Sequence, residues 1–417
     1  MKKVAFLFPG QGSQYLGMCK SMIENQSIVK MTFEEASHAV GLDLIQICME
    51  DERAELSHTE ITQPVLLTAG VAIFRQYMRD FGVQPAYCAG HSLGEITALT
   101  CSGAISLEDA VKLVHMRGKF MQEAVAVGQG SMAAVSQVPV ELVEEQCGLE
   151  KNVSISNYNS PNQIVISGLS SELDQVKERL VAMGAIVKQL NVSAPFHSKL
   201  MLPAAEKFQE ELRKYSFQNT LWPIVSNVTA KVYKDALVIA DHLVKQLTQP
   251  VRWYDTVRYL HRAGVTHVLE LGPKSVLKNL MKDCDVSIQS YAYDLEKDRT
   301  DFFSVMSSEQ ERVPTVIGRS LGIAVATRNK NWDNEQYQQG VVIPYRRIQG
   351  IQDELDKSGL KPTLEQMQAA ILMLESVFRT KGVPQEIRDE RYRQLLIETG
   401  TEYLLGDFVK QQQYVGS

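Results

Sequence analysis

Short apolar runs and longer stretches of helical period alternate along the first part of the chain. Val4–Phe8 is an apolar run that stops at Pro9-Gly10, and residues 64–81 have the spacing of a long helix. Unbroken short runs are typical of buried strands, whereas a period near 3.6 residues predicts an amphipathic helix. The alternation continues to about residue 125 and predicts an α/β layer fold.

The pattern changes after Gly130. It predicts strands and helices in the order β-α-β-β-α-β, at residues 132–138, 140–147, 153–157, 163–167, 171–183 and 186–190. This order is that of a ferredoxin-like unit. Because the earlier pattern returns with a helix over 200–213 and a strand over 222–226, we expect the small unit to be inserted into the larger domain.

The C-terminal part has a third pattern. The charged stretch 294–299 and the polar stretch 307–312 are both candidate linkers. Thr363 and Gln366 have the spacing of a capping box, and one apolar stripe follows, made of Leu364, Met367, Ile371, Leu374 and Phe378. A further helix is predicted over 385–399, ended by Gly400. We expect the stripe to pack on the main body, and Trp332, Tyr337 and Tyr345 to be packing residues.

Composition and charge narrow the class of protein. With 417 residues, 44% hydrophobic and 22% charged, the chain can bury a sizeable core. A net charge of −6 without a dense basic run argues against binding to nucleic acid or to an anionic membrane. The six cysteines show no metal-ligand spacing, and no apolar run approaches the ~18 residues of a spanning helix. We therefore expect a cytoplasmic protein without a metal site.

Gly90-His91-Ser92-Leu93-Gly94 is the segment richest in chemistry. It follows a short apolar run and precedes a helical stretch, which is the setting of a nucleophile elbow with an exposed serine. The alternative is an ordinary strand-to-helix turn in which the serine hydroxyl caps the helix.

Two further residues are unusual in their surroundings. His197 lies in a proline-containing segment where the chain re-enters the large domain, so that it can be aimed into a cleft. Arg117 lies among apolar residues of one helix face, and a buried guanidinium needs a partner. That partner can be an internal carboxylate such as Glu95, water reached by the long side chain, or an anionic ligand.

Several motifs, taken together and in order over residues 1 to about 290, resemble the malonyl-CoA:acyl-carrier-protein transacylases, including the discrete acyltransferases that serve polyketide synthases. The motifs are Phe8-Pro9-Gly10-Gln11-Gly12-Ser13-Gln14, Gln63-Pro64, Gly90-His91-Ser92-Leu93-Gly94-Glu95, Arg117-Gly118, Asn159-Ser160-Pro161, Phe196-His197-Ser198, Gln249-Pro250-Val251-Arg252-Trp253 and Glu270-Leu271-Gly272-Pro273. The resemblance implies an α/β-hydrolase-like large domain (1–127 and 198–293) with an inserted ferredoxin-like subdomain (128–197). Residues 294–417 then form a linker and a mostly helical extension.

The resemblance also implies the roles of the site residues. Ser92 is the nucleophile and His197 the general base, oriented by a backbone carbonyl in the segment of Gln249. The backbone N–H groups of Gln11 and Leu93 form the oxyanion hole. Arg117 binds the malonyl carboxylate, and Phe196, Met121 and Gln63 complete the acyl site.

Substrate and partners follow from the same resemblance. Malonyl-CoA donates the acyl group in a ping-pong transfer, and the acceptor is a holo acyl carrier protein, free or within a polyketide synthase assembly; no tightly bound cofactor is implied. Lys188, Lys199, Arg252 and Lys274 are candidates for a basic rim that docks an acidic carrier.

Three other functions stay open from the sequence. The first is a hydrolase that removes acyl groups from carrier proteins, and the second is a general esterase with an acidic residue on its histidine. The third is a non-catalytic carrier-docking protein.

Overall fold

The computed structural model describes residues 2–50, 55–126, 128–192, 194–284, 286–310 and 313–414. The chain forms two compact units. The first unit comprises Met1–Gln76 and Pro85–Val305, and the second comprises Tyr77–Gln84 and Met306–Ser417.

The strands of the described residues all belong to the first unit. In chain order they are β1 Val4–Phe8, β2 Tyr87–Gly90, β3 Gly130–Ser136, β4 Val153–Ser160, β5 Gln163–Leu169, β6 Ile186–Gln189, β7 Ile224–Val225, β8 His267–Glu270 and β9 Gln289–Ala292.

The first unit also contains α-helices. They are α1 Lys20–Asn25, α2 Ser27–Val40, α3 Leu44–Met49, α4 Thr59–Asp80, α5 Leu93–Cys101, α6 Leu107–Glu123, α7 Val140–Gly148, α8 Ser170–Ala182, α9 Leu202–Leu212, α10 Ile239–Thr248, α11 Trp253–Arg262, α12 Val276–Lys282 and α13 Glu296–Gln310. Helix α4 runs into the second unit at its C-terminal end, as α13 does.

A five-stranded parallel sheet in the order β7-β2-β1-β8-β9 forms the centre of the large domain. Every residue of β1 is buried, as expected of a strand covered on both faces. Its Ala5 and Leu7 pack with Trp253 and Val257 of α11 in one core cluster. This sheet confirms the α/β-hydrolase-like large domain.

The inserted subdomain is built on a second sheet. Its strands are antiparallel in the order β4-β5-β3-β6, with α7 and α8 between them in the chain. The β-α-β-β-α-β order predicted from the sequence is therefore confirmed. Val143, Leu173 and Ile166 bring both helices and the sheet into one core cluster.

The second unit is helical. Its helices are α14 Val316–Ala326, α15 Asn334–Tyr337, α16 Ile343–Ser358, α17 Leu364–Thr380, α18 Gln385–Thr399 and α19 Glu402–Tyr414, with a π-helical turn at Gln338–Val342. The capping box of Thr363 and Gln366 is present, and Gly400 ends α18 in the left-handed conformation. The helical extension is confirmed.

The packing of this extension differs from the expectation. The stripe of α17 lies in a hydrophobic core formed by α14 and α16–α19 themselves, so its expected packing on the main body is wrong. The reason is α14, an apolar helix that the sequence pattern did not single out and that packs against α17. Leu364, at the start of the stripe, is exposed.

Two further expectations for the tail need correction. Trp332 is 90% exposed, because it lies in the irregular segment between α14 and α15 where no helix face turns it inward. Tyr337 and Tyr345 do pack against the core, partly buried. The stretch 294–299 is not a linker, since it enters α13, which belongs to the first unit as far as Val305.

No helix among the described residues combines the length and the apolarity that crossing a membrane requires.

Replacing Phe378 by alanine should lower the free energy of unfolding of the second unit by about 3–5 kcal/mol. Its ring is fully buried and lies 5.5 Å from that of Tyr392, so truncation opens a cavity in the core. Leu372→Ala, on the same helix at a side chain 47% exposed, is the control and should cost less than about 1 kcal/mol. Urea denaturation of both variants measures the difference, and equal losses would contradict the packing of α17 described above.

Candidate active site

Ser92 lies on a strained turn between β2 and α5. Its backbone has φ 53° and ψ −108°, a conformation unfavourable for a residue with a side chain. A Cβ at Gly90 would come within 1.9 Å of Gly94, and one at Gly94 within 1.9 Å of the Phe8 carbonyl oxygen. The Ser92 side chain makes no capping hydrogen bond to α5. The turn therefore has the geometry of a nucleophile elbow, and Ser92, although it is the N-cap residue of α5, does not cap the helix with its hydroxyl.

Asn227, which follows β7, holds the elbow from the neighbouring strand. Its Oδ1 accepts a hydrogen bond from the Ser92 backbone N–H at 2.7 Å, and its Nδ2 donates to the Gly90 carbonyl at 2.7 Å. Its side chain is fully buried. Sequence reasoning missed this residue, although a polar residue directly after a buried strand was a usable signal.

His197 is the partner of the serine hydroxyl. Its Nε2 lies 2.8 Å from Ser92 Oγ, and its Nδ1 lies 2.7 Å from the carbonyl oxygen of Gln246. Burial, and secondly the positive charge of Arg117, lower the pKa of His197 to about 3. The imidazole is thus neutral, donates from Nδ1 and accepts from the serine at Nε2.

The carbonyl that orients His197 belongs to Gln246 in the last turn of α10, so the expectation of Gln249 is corrected. In a helix this carbonyl would accept from the N–H four residues later, but that residue is Pro250, which has no N–H. The Gln246 oxygen is left without a helical partner and takes the imidazole instead. Gln249 itself is the extended C-cap residue of α10.

Arg117 projects from α6 into the same site, although it is only 1% exposed. Its Nη1 donates to Gln63 Oε1 at 2.8 Å, and its Nη2 donates to Gln246 Oε1 at 2.8 Å and to Ser92 Oγ at 3.2 Å. Burial lowers its pKa to about 10, an effect that the nearby Glu95 opposes. Arg117 is thus a cation beside the serine hydroxyl.

The hydrogen-bond partners of Arg117 are neutral side chains. Of the carboxylates in the described part of the chain, none forms an ion pair with it, so the considered salt bridge to Glu95 is absent. The amide of Gln246 lies between the two, since its Nε2 donates to Glu95. Desolvation without a counter-ion favours the binding of an anion.

The loop after β1 passes directly over the elbow. A Cβ at Gly10 would lie 2.4 Å from the His91 carbonyl oxygen and 3.8 Å from the Leu93 nitrogen. Over the residues that the structure describes, the backbone N–H groups of Gln11 and Leu93 have no hydrogen-bond partner. Both groups are free to donate to a developing oxyanion.

The other predicted acyl-site residues are buried. Met121 and Gln63 adjoin Arg117, with Gln63 Nε2 at 3.6 Å from the Met121 sulfur. Phe196 is buried directly before His197. The acyl-binding roles of these three side chains stay predictions.

Two of the four candidates for a basic rim have partners within the chain. Arg252 pairs with Asp255 at 2.6 Å, and Lys274 donates to the Gln14 carbonyl at 2.8 Å. Lys188 lies on β6 and Lys199 in a short 3-10 turn after His197. The structure gives no ion pair for either of these two lysines among its described residues.

Taken together, these groups are a serine hydroxyl in contact with a neutral imidazole that a backbone carbonyl holds, two free N–H donors and a buried cation. This set is able to carry out acyl transfer through a serine ester. A model of the acyl transferase domain family matches residues 5–317. The chain belongs to this family and, within it, to the malonyl-CoA:acyl-carrier-protein transacylases.

Relatives of known sequence support this membership. A malonyl CoA-acyl carrier protein transacylase of Bacillus subtilis is 36% identical over 395 residues, which cover 92% of this chain and 98% of the relative. The one from Salmonella typhimurium is 45% identical over 286 residues, 68% of this chain and 93% of the relative. The Bacillus protein thus aligns with most of the second unit, whereas the Salmonella alignment covers about the length of the first.

Solved structures also support this membership. The transacylase of Coxiella burnetii matches with a TM-score of 0.71 and 39% identity, over 73% of this chain and 97% of that one. A malonyl-transacylase in complex with a type II polyketide-synthase acyl carrier protein matches with a TM-score of 0.71 and 38% identity, over 73% of this chain and all of that one.

His197 should carry its proton on Nδ1 and stay neutral at pH 5, because burial and Arg117 disfavour the imidazolium. The unfolded chain protonates this group below about 6.5, so its contribution to stability is present above that pH and declines as the pH falls toward 3. Long-range ¹H–¹⁵N NMR correlations identify the tautomer, with His197→Gln assigning the signal. A cationic ring at pH 6 would contradict the described environment.

Proposed function

We propose that this protein transfers the malonyl group of malonyl-CoA to the phosphopantetheine thiol of an acyl carrier protein through a malonyl-Ser92 intermediate. One observation carries the proposal. Ser92 Oγ lies at 2.8 Å from His197 Nε2 and at 3.2 Å from Arg117 Nη2, so a base and a carboxylate-binding cation meet at one nucleophile. The relatives named above are transacylases of this substrate pair, which supports the choice of donor and acceptor.

The first half of the reaction forms the serine ester. His197 accepts the hydroxyl proton at Nε2 while Ser92 Oγ attacks the thioester carbonyl. The N–H groups of Gln11 and Leu93 stabilise the oxyanion, a kind of contact worth ~10²–10³ in rate per donor. The carbon–sulfur bond then breaks, and the imidazolium of His197 gives its proton to the departing coenzyme A thiolate, which leaves the imidazole neutral again.

The second half of the reaction passes through the same kinds of step with a different thiol. His197 takes the proton of the carrier's phosphopantetheine thiol, which attacks the ester and forms the new thioester. The proton returns to Ser92 Oγ as the ester bond breaks. The reaction is therefore ping-pong, with one acyl-enzyme between two thioesters.

Arg117 supplies the preference for malonyl. The free carboxylate of the acyl group can replace the serine hydroxyl on Nη2 and form a charge-assisted hydrogen bond. An acetyl group offers no such acceptor and leaves the cation desolvated.

Phe196, Met121 and Gln63 would surround the acyl group. A basic rim including Lys188 and Lys199 would receive an acidic carrier protein.

The competing functions fit this site less well. A general esterase would be expected to place an acidic residue on its histidine, where His197 instead has the Gln246 carbonyl. A hydrolase acting on stalled acyl groups has no evident need for a buried cation at the nucleophile. A docking protein without activity has no need for the serine and histidine at hydrogen-bond distance.

Brief exposure to malonyl-CoA should add one malonyl group, detected by intact-protein mass spectrometry, and Ser92→Ala should abolish the adduct. Addition of a holo carrier protein from fatty-acid or polyketide synthesis should move the group to the carrier. Release of the group to water in the presence of each kind of carrier, tested separately, would instead support the hydrolase. Absence of any adduct would refute the proposed donor or the activity itself.

Arg117→Ala should lower the ratio of malonyl to acetyl loading, measured as kcat/KM on Ser92, by roughly ten- to a hundredfold, because a charged hydrogen bond is lost. Lys119→Ala, an exposed cation on the same helix, is the matched control and should leave the ratio unchanged. A ratio that is the same in Arg117→Ala and in the unmodified protein would refute the role of Arg117.

A further inference from the structure

Glu95 is a buried carboxylate that the mechanism above does not use. It lies in the first turn of α5, three residues after Ser92, and is 1% exposed. Its Oε1 accepts hydrogen bonds from the Tyr233 hydroxyl and, at 3.2 Å, from the Asn227 backbone N–H. Its Oε2 accepts from Gln246 Nε2. Removing a carboxylate from water is costly, and these three hydrogen bonds offset part of that cost.

The contact of Glu95 with Gln246 contributes to the direction in which that amide points. Its Nε2 faces three acceptors: Glu95, the Ser92 carbonyl oxygen at 3.1 Å and, at 3.4 Å, Asn227 Oδ1. Oε1 therefore faces Arg117 Nη2 at 2.8 Å. If the amide turned over, its oxygen would face a carboxylate and a carbonyl, and its NH₂ would face a guanidinium. Each of these contacts would then pair two hydrogen-bond acceptors or two hydrogen-bond donors.

Gln246 is also the residue whose backbone carbonyl holds His197. A single residue of α10 thus touches the base through its main chain and the cation through its side chain. Of the two, only the side chain depends on Glu95 for its orientation.

We infer that Glu95 is a positioning residue for acyl specificity: its carboxylate fixes the amide of Gln246, and that amide holds the Arg117 guanidinium in the orientation that receives the malonyl carboxylate. The inference rests on the proposed function. Glu95 touches neither the substrate nor the reacting atoms, and it contacts Arg117 by way of the Gln246 amide, beside the direct effect of its charge on the guanidinium. Its effect should therefore fall on the choice between acyl groups.

Glu95→Gln tests this directly, since it keeps the size of the side chain and removes the charge. At pH 8 the ratio of malonyl to acetyl loading on Ser92 should fall about tenfold, with the larger change in the KM for malonyl-CoA. In an Arg117→Ala background the same substitution should change the ratio by less than about twofold, because the cation on which Glu95 acts is gone.

Tyr233→Phe is the matched control for disturbance of the pocket. It removes one hydrogen bond from Glu95 but leaves the carboxylate and its contact with Gln246, so the ratio should be retained. Gln246→Met provides a second variant should Glu95→Gln not fold: it keeps the backbone carbonyl, loses the amide and should lower the ratio like Glu95→Gln.

The outcomes separate the inference from the function on which it rests. An unchanged ratio in Glu95→Gln, while Arg117→Ala lowers it, would overturn the inference and leave the proposed function standing. Equal losses in Glu95→Gln and Tyr233→Phe, following their thermal stabilities, would also overturn it, because Glu95 would then be a structural residue. Absence of a malonyl adduct on the unmodified protein would overturn both.

Discussion

The active site depends on how closely three segments of backbone approach one another at the elbow. Gly90, Gly94 and Gly10 lie where any Cβ would meet a neighbouring main chain. This contact fixes the left-handed turn at Ser92 and brings the loop with Gln11 over the start of α5. The strain of that turn is maintained by the buried sheet on one side and by Asn227 on the other. The hydroxyl, the free N–H groups and the helix start therefore form one rigid arrangement.

Much of the fold could be predicted from local patterns. The β1 run, the elbow and the β-α-β-β-α-β insertion each have a hydrophobic period or a motif confined to a few neighbouring residues. The capping box of α17 is equally local. The packing of the extension is different, because it depends on which apolar surface meets the stripe of α17. That partner, α14, lies far along the chain and carries no motif.

The residues of the site likewise fall into those that the sequence marks and those that only the fold reveals. Ser92, His197 and Arg117 stand in recognisable motifs or in surroundings that conflict with their polarity, so the sequence marks them. Gln246 and Asn227 are ordinary polar residues in helix and loop, and only the folded chain brings them to the elbow. The sequence contains the reason why Gln246 and not Gln249 holds His197: Pro250 leaves the carbonyl four residues earlier without its helical donor.

The choice of a carbonyl as the support of His197 also bears on which bonds the site can break. A neutral dipole stabilises an imidazolium less than a carboxylate does, and the Arg117 charge opposes it further. The imidazolium therefore costs much free energy to form, and an amide depends on it, because the amide nitrogen leaves only after the imidazolium has protonated it. A thiol has a pKa near 8.5 and departs readily as an anion. The electrostatics around this histidine thus suit an exchange between sulfur esters and give peptide bonds little assistance.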